Sequence, residues 1–363
     1  MSLALRIGGS LAAFAVAGLL GIGLVFGFDA ESSLGSWALV TIIAVPAAVV
    51  AYAIIEYAQT RRIDSIARQF DTRVVVLMPV AIAVNIILGT AVASALKIPV
   101  YLDSMGTILV AALGGPLAGA VTGLLSNTVW TYLAPPPFQS PFAAPFAIVA
   151  VVIGLLAGSF AHWGWLRPRR GTSDRQLAVG GLATIAVVVA MAVLAVGGWR
   201  AIADERIAAL RADDPVTLVL AGSAVVVVAA TIAGLLFLLV RRRDLAAAYV
   251  VVAGVITGIV SAFIAAPIAA NLFGGVTGSG ADFLVAAFRQ GGADLQAAVL
   301  GQSLLSDSID KVVSYLAVYL VMGALAVRLK ARFPQGGRLI PLLPGHHPGQ
   351  TTGPTVVSDE AER

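Results

Sequence analysis

The sequence predicts an all-α fold: a polytopic membrane helix bundle of about ten spans. Three observations predict it. Hydrophobic residues make up 59% of the chain and charged residues only 12%, about half the ~25% charged share of an ordinary soluble domain. The apolar residues lie in long continuous runs rather than in alternation, which argues for helices. The arginines recur in clusters that all fall on one side of a membrane once the runs are allowed to cross. A soluble fold of this size still needs a wetted shell that the chain cannot supply. In lipid, backbone polar groups must be satisfied internally, and helices do that.

The apolar segments fall at 7–27, 37–59, 74–96, 103–114, 116–133, 144–165, 177–199, 216–240, 245–269 and 300–327. The first follows Arg6 and is read as a retained helix, because it is long for a signal core and no clear small-x-small site precedes Asp29. The fourth is short and stops at Gly115-Pro116, where proline disfavours helix at the preceding residue. It is expected to cross all the same, since otherwise the later arginine clusters would fall on the opposite side. With a cytoplasmic N-terminus, the inside loops hold Arg61, Arg62, Arg68 and Arg73, then Arg167, Arg169, Arg170 and Arg175, then Arg241 to Arg243, and finally a basic tail. The outside holds Asp29, Glu31, Lys97, the mixed loop 200–214 and the segment 271–297. The expected location is the cell membrane, multi-pass, with both termini cytoplasmic.

The pairs 7–59 and 177–240 are Ala/Val/Leu hairpins that leave and return to the same side, so either could be removed without inverting the rest. The expected organisation is therefore an accessory membrane hairpin at 1–71 and a first part of the core at 72–166. An inserted hairpin at 167–243, a second part of the core at 244–330 and a disordered cytoplasmic tail at 331–363 follow. The core itself has six spans, and nearly all the unusual chemistry lies in it.

Several function classes drop out. There is no cysteine, hence no disulfide or thiolate metal site, and His162, His346 and His347 stand near no carboxylate cluster. No Ser-His-Asp, His-Glu-x-x-His or P-loop pattern occurs, so no enzymatic activity and no cofactor is expected, and any ATP-driven role needs a partner. The net charge of +4 lacks the aromatic-basic stripe of a nucleic-acid binder. Membrane lipid is the expected surrounding.

Glycines 115, 119 and 123 recur every four residues, as do Gly154 and Gly158, and Gly254, Gly258, Ala262, Ala266 and Ala270. Such stripes let helices approach closely. Polar residues then need explaining. In Lys97 to Thr107, Asp103 and Ser104 serve equally as helix caps or ligand contacts, and Lys97 as a boundary residue that snorkels. Asn85 is a buried polar candidate, and Asn127 bridges helices or lines a cavity. Trp130 and Tyr132 read equally as interfacial anchors. The glycine-rich stretch Asn271 to Asp282 exposes backbone amides, and Ser279-x-x-Asp282 has the form of a capping box before an amphipathic stretch, Phe283 to Gln290. That stretch is either a capped surface helix or a cover over a pocket mouth. In the last span Gln302, Ser303, Ser306, Asp307, Asp310 and Lys311 cluster, with Asp307 and Lys311 spaced to pair on one face near the outer boundary.

Taken in order, Ile98-Pro99-Val100-Tyr101-Leu102-Asp103-Ser104-Met105-Gly106-Thr107, Gly114-Gly115-Pro116-Leu117-Ala118-Gly119, Phe273-Gly274-Gly275-Val276-Thr277-Gly278-Ser279-Gly280 and Asp310-Lys311 resemble the substrate-specific (S) components of energy-coupling factor (ECF) vitamin transporters. The resemblance covers roughly residues 72–130 and 245–330. It implies a six-helix core that captures a vitamin-like small molecule from outside and delivers it with a transmembrane T subunit and a pair of ABC-type ATPases. The binding positions it implies are Tyr101, Asp103, Ser104, Asn127, Asn271, Gly274, Gly275, Thr277, Gln302, Asp307, Asp310 and Lys311. The mixed charges suit an anionic, cationic or zwitterionic ligand. Two features depart from the pattern: the two extra hairpins, and the small-x-x-x-small docking motif, where Ala81 is followed by Asn85. A small-molecule sensor or receptor and a structural assembly factor are the alternative classes.

Overall fold

The computed structural model describes residues 2–26, 34–95, 100–170, 172–203, 226 and 229–341. Asp29, Glu31, Lys97, the stretch 204–225 and the tail 342–363 with His346 and His347 lie outside the described residues. The described chain is all-helical, and its only β pairing is an isolated bridge between Arg170 and Asp244.

The helices are α1 (Ser2–Phe26), α2 (Leu34–Thr60), α3 (Asp64–Gln69), α4 (Thr72–Gly89, continued by a π-helical turn Thr90–Ala95), α5 (Met105–Gly114) and α6 (Pro116–Tyr132). After a 3-10 turn at Ala144–Phe146 come α7 (Ala147–His162), α8 (Asp174–Ala203), α9 (Ala229–Arg241), α10 (Ala246–Phe273), α11 (Asp282–Gln290), α12 (Leu295–Ala324) and α13 (Val327–Lys330). Among the described residues three stretches, Thr72–Val92, Ala144–His162 and Ala246–Phe273, are long and apolar enough to cross a membrane. On α10, Val252, Ile256, Ile259 and Phe263 point outward along one stripe while Val250, Val251 and Gly254 face inward. Water solvates such an outward apolar stripe poorly and lipid solvates it well. The architecture fits a helical membrane protein.

The glycine stripes are the contact surfaces. A Cβ at Gly254 would lie 2.6 Å from the Cα of Val312, and one at Gly258 would lie 2.7 Å from the carbonyl oxygen of Asp307. So α10 lies directly on the backbone of α12. Gly119 and Gly154 meet back to back between α6 and α7, and Gly158 sits against Gly115 and Pro116. The α1–α2 pair joins through Arg6 and Glu56 at 3.1 Å and touches α6 and α7, whereas α8 lies along α10 and α12.

α5 is short because Gly115 takes a φ of +129°, outside the range side chains tolerate, and Pro116 starts the next helix. Eight of its ten residues are buried among α4, α6, α7 and α12. Asn85 of α4 fixes this centre. Its amide donates to Thr107 Oγ1 and Ser126 Oγ, each at 2.9 Å, and accepts from the Gly106 N–H at 2.7 Å. Every polar atom of Asn85 is thereby used in joining α4, α5 and α6.

The arginine-rich segments gather at one end of the bundle. Arg73 donates to the Arg332 carbonyl at 3.1 Å, Arg167 to the Arg338 carbonyl at 3.0 Å, and the Arg169 N–H to Asp244 at 2.8 Å. Tyr319 donates to the same Asp244 carboxylate at 2.6 Å. Residues 331–341, expected to begin a disordered tail, are built into this end instead. The Gln335 N–H donates to the Leu113 carbonyl at 2.9 Å, and Leu339, in a 3-10 turn at Gly336–Leu339, is buried in the core. The orphan carbonyls at the end of the truncated α5 need such a donor, which the flexible-looking composition conceals.

Candidate functional site

At the opposite end from the arginines, the core opens into a cavity with about 1020 Å³ of empty space, its mouth included. Its wall is built from the segment before α5, the adjoining turns of α6, α7, α10 and α12, and the loops 133–146 and 274–281. Of the residues the sequence singled out, Tyr101, Asp103, Ser104, Asn127, Gly275, Thr277, Gln302, Asp307 and Lys311 line it together. They come from four separate stretches of chain.

Three others do not line it. Asn271 is exposed and accepts from Gln296 at 2.7 Å. Gly274 ends α10 in the left-handed conformation, φ 59°, with open space around it. Asp310 is fully buried behind the wall. Its Oδ1 accepts the backbone N–H groups of Tyr101 at 3.2 Å and Leu102 at 2.7 Å, and its other oxygen contacts Lys311 Nζ. The carboxylate thus shapes the wall rather than facing the cavity.

Lys311 departs from the expected pairing with Asp307. It reaches across to Asp310, to Ser104 Oγ at 3.0 Å and toward Asp103 at 3.7 Å, and Asp307 is not within ion-pair distance of it. Spacing puts two residues on one face of a helix, but the oxygens of the 100–104 segment draw the long lysine side chain away. The helix that carries these residues begins well before them. The Asp294 side chain caps α12 by accepting from the Ala297 N–H at 2.8 Å, so Gln302 to Lys311 lie within a continuous helix. Their polar side chains face protein and cavity, which removes the penalty that hides the helix start in a hydropathy reading.

The glycine loop also differs from the sequence expectation. Asp282 caps no helix with Ser279. Its carboxylate accepts from the Thr277 N–H and hydroxyl, each at 3.0 Å, and from the Gly278 N–H at 2.8 Å. The loop amides at 277 and 278 are therefore engaged within the loop. Gly278 has a φ of +73°, which closes this tight turn. Ser279 instead lies 3.2 Å from the Tyr101 hydroxyl, joining the loop to the segment before α5. Burial pushes the Tyr101 phenol above its ordinary range, with the Asp307 charge adding to the shift, so the ring carries its proton.

The sequence reading missed the aromatic side of the cavity. Trp130, expected as an interfacial anchor, is buried in the wall and donates from Nε1 to the Phe138 carbonyl at 2.7 Å. Tyr132 is the exposed member of that pair. Phe142 and Phe146 also line the wall and rest on Phe273, with ring centroids 5.3 Å and 5.8 Å away. They belong to a connecting loop; the four-residue spacing of Phe138, Phe142 and Phe146 was the available signal.

One buried polar group in the wall has no partner among the described residues: the hydroxyl of Ser261, which is 1% exposed. Asn127 is also buried in this wall. Buried polar groups are normally satisfied, so a cavity with the unpartnered Ser261 hydroxyl in its wall is suited to a ligand or ordered water. No protein-family model matches the chain, nor does any curated protein or solved structure.

Proposed function

We propose that the chain is the substrate-binding membrane subunit of an ECF-type importer. In this reading it captures a vitamin-like small molecule from outside and delivers it with a T subunit and an ATPase pair. The cavity carries the proposal. It brings together residues distant in sequence, it combines an aromatic wall with polar groups, and it lies away from the arginine-rich end. Sites for small molecules combine an apolar lining with a few placed polar groups in this way.

On this reading the bundle has about ten spans with both termini cytoplasmic. α4 to α7, α10 and α12 form the six-span core, and the hairpins 7–59 and 177–240 are accessory. The arginine-rich end faces the cytoplasm, where the ATPases act, and the cavity faces outward. The segment before α5 and the loop 274–281, tied together through Tyr101 and Ser279, form the outer rim. The chain has no nucleotide-binding motif of its own, so energy comes from the partners.

One observation favours a structural role instead. Asn85 spends all its described side-chain polar contacts on joining elements of the bundle, and Asp310 ties the segment before α5 to α12, as staples in an assembly factor would. The test separates the readings. The tagged full-length chain, purified in mild detergent from its native membrane, is expected to retain a T-type membrane protein and two ABC-type ATPases, identified by mass spectrometry. Recovery of the chain without any ATPase, at detergent conditions that preserve other membrane complexes, would rule out the importer subunit.

A further inference from the structure

The charges around the cavity do not balance. Three carboxylates line it, those of Asp103, Asp282 and Asp307, against a single ammonium, Lys311. That ammonium is already engaged by Asp310, which lies behind the wall, and by Ser104. Asp282 is held by two N–H groups and a hydroxyl of its own loop. Asp307 differs: it is 7% exposed, and Lys311, its counter-charge among the described residues, is drawn to Asp310 and Asp103 instead and stays beyond ion-pair distance of it.

Its surroundings are fixed by helix packing. Gly258 lets α10 lie against the backbone of Asp307 and Ser308. That contact brings Ser261, one turn further along α10, to the same part of the wall, where its hydroxyl is unpartnered. Trp130, Phe142 and Phe146 line the same cavity. Aromatic faces attract cations, and more strongly where water is excluded. A carboxyl buried at low dielectric gives up its charge unless a counter-charge meets it, so a cation seated beside Asp307 is what would hold it as the carboxylate. The described arginine nearest in sequence, Arg289, lies outside the lining and is exposed.

From this geometry we infer that the cavity takes a positively charged organic ligand. Its cationic centre sits against Asp307, and its body lies between the aromatic side chains. The inference rests on the uptake reading of the same cavity and narrows its substrate class to cations. An anion would meet three carboxylates and an already neutralised lysine. A neutral molecule would leave the carboxylate-rich side of the cavity without a counter-charge.

The test uses full-length protein in nanodiscs and isothermal titration calorimetry with three probes that share a benzyl group: benzyltrimethylammonium, phenylacetamide and phenylacetate. The cation is expected to bind at least about tenfold more tightly than either of the others. Asp307→Asn is expected to abolish that preference, and Asp307→Glu to keep it. Removing an unpaired buried charge does not threaten the fold, so Asp307→Asn remains a fair test. Equal or tighter binding of the amide or the anion would overturn the inference while leaving an uptake role intact, as would a cation preference that survives Asp307→Asn. Failure of all three probes would overturn it too, and the uptake reading falls with it only if no small molecule co-purifies with the protein.

Discussion

The Asp310 carboxylate accepts the backbone N–H of Leu102 at 2.7 Å across more than two hundred residues of sequence. Leu102 has a φ of +53°, a left-handed conformation that a leucine adopts only under constraint. Asp310 therefore holds the segment that carries Tyr101, Asp103 and Ser104 into the cavity wall. Replacing it with alanine would release the loop and leave Lys311 buried without its closest counter-charge. Asp310→Ala is expected to cost about 3–5 kcal/mol, the range for breaking a buried pair. Thermal unfolding of the purified protein reads this directly, and an unchanged midpoint would show that the clamp carries no load.

Asn85 makes a different prediction. It does not line the cavity, and its three hydrogen bonds join α4 to α5 and α6. Asn85→Leu should leave the Gly106 N–H without its partner and lower stability by about 1–3 kcal/mol. Ligand affinity of the protein that remains folded should be unchanged, as binding measured well below the unfolding midpoint would show.

The close helix contacts predict where bulk is forbidden. A side chain at Gly154 would collide with the backbone of Gly119 and Ala120, which cannot move aside as a side-chain tip can. Gly154→Leu is expected to destabilise by about 1–3 kcal/mol or more. The same change at Gly323 of α12, where a Cβ meets nothing, should be nearly silent. Comparing the yields and melting temperatures of the two variants checks both halves of the claim.

These contrasts show what a sequence can carry. The glycine and alanine stripes were legible because close helix packing leaves a periodic mark along one chain segment. The separate polar clusters were legible for a similar reason: charge within an apolar chain is conspicuous, and Tyr101, Thr277 and Lys311 do meet at one cavity. The choice of partner was not. Lys311 has four rotatable bonds and several oxygens in reach, so spacing alone pointed to Asp307 when the fold offered Asp310 and Ser104. The spacing of Phe138, Phe142 and Phe146 marked Phe142 without placing it in a wall, because its position depends on how the loop 133–146 folds back on Trp130. The buried turn at Gly336–Leu339 was hidden by a composition typical of linkers.

The Tyr101 hydroxyl and Ser279 tie the two rim segments together at 3.2 Å. Tyr101→Phe keeps the ring and removes the tie. It is expected to change stability by less than about 1.5 kcal/mol, the net worth of one hydrogen bond. It should speed ligand release more than it slows entry, because loosening a contact acts mainly on dissociation. Stopped-flow binding to the variant in nanodiscs separates the two rates.

The central claim is that the cavity holds a small molecule. Native mass spectrometry of the wild-type protein, purified from its native membrane without denaturation, tests this most directly when set beside Ala265→Trp, which fills the cavity from α10. The account predicts a discrete small-molecule adduct on the wild type that is missing from a folded Ala265→Trp variant. A wild-type protein that carries no adduct, or an adduct that persists undiminished in the filled variant, would contradict it.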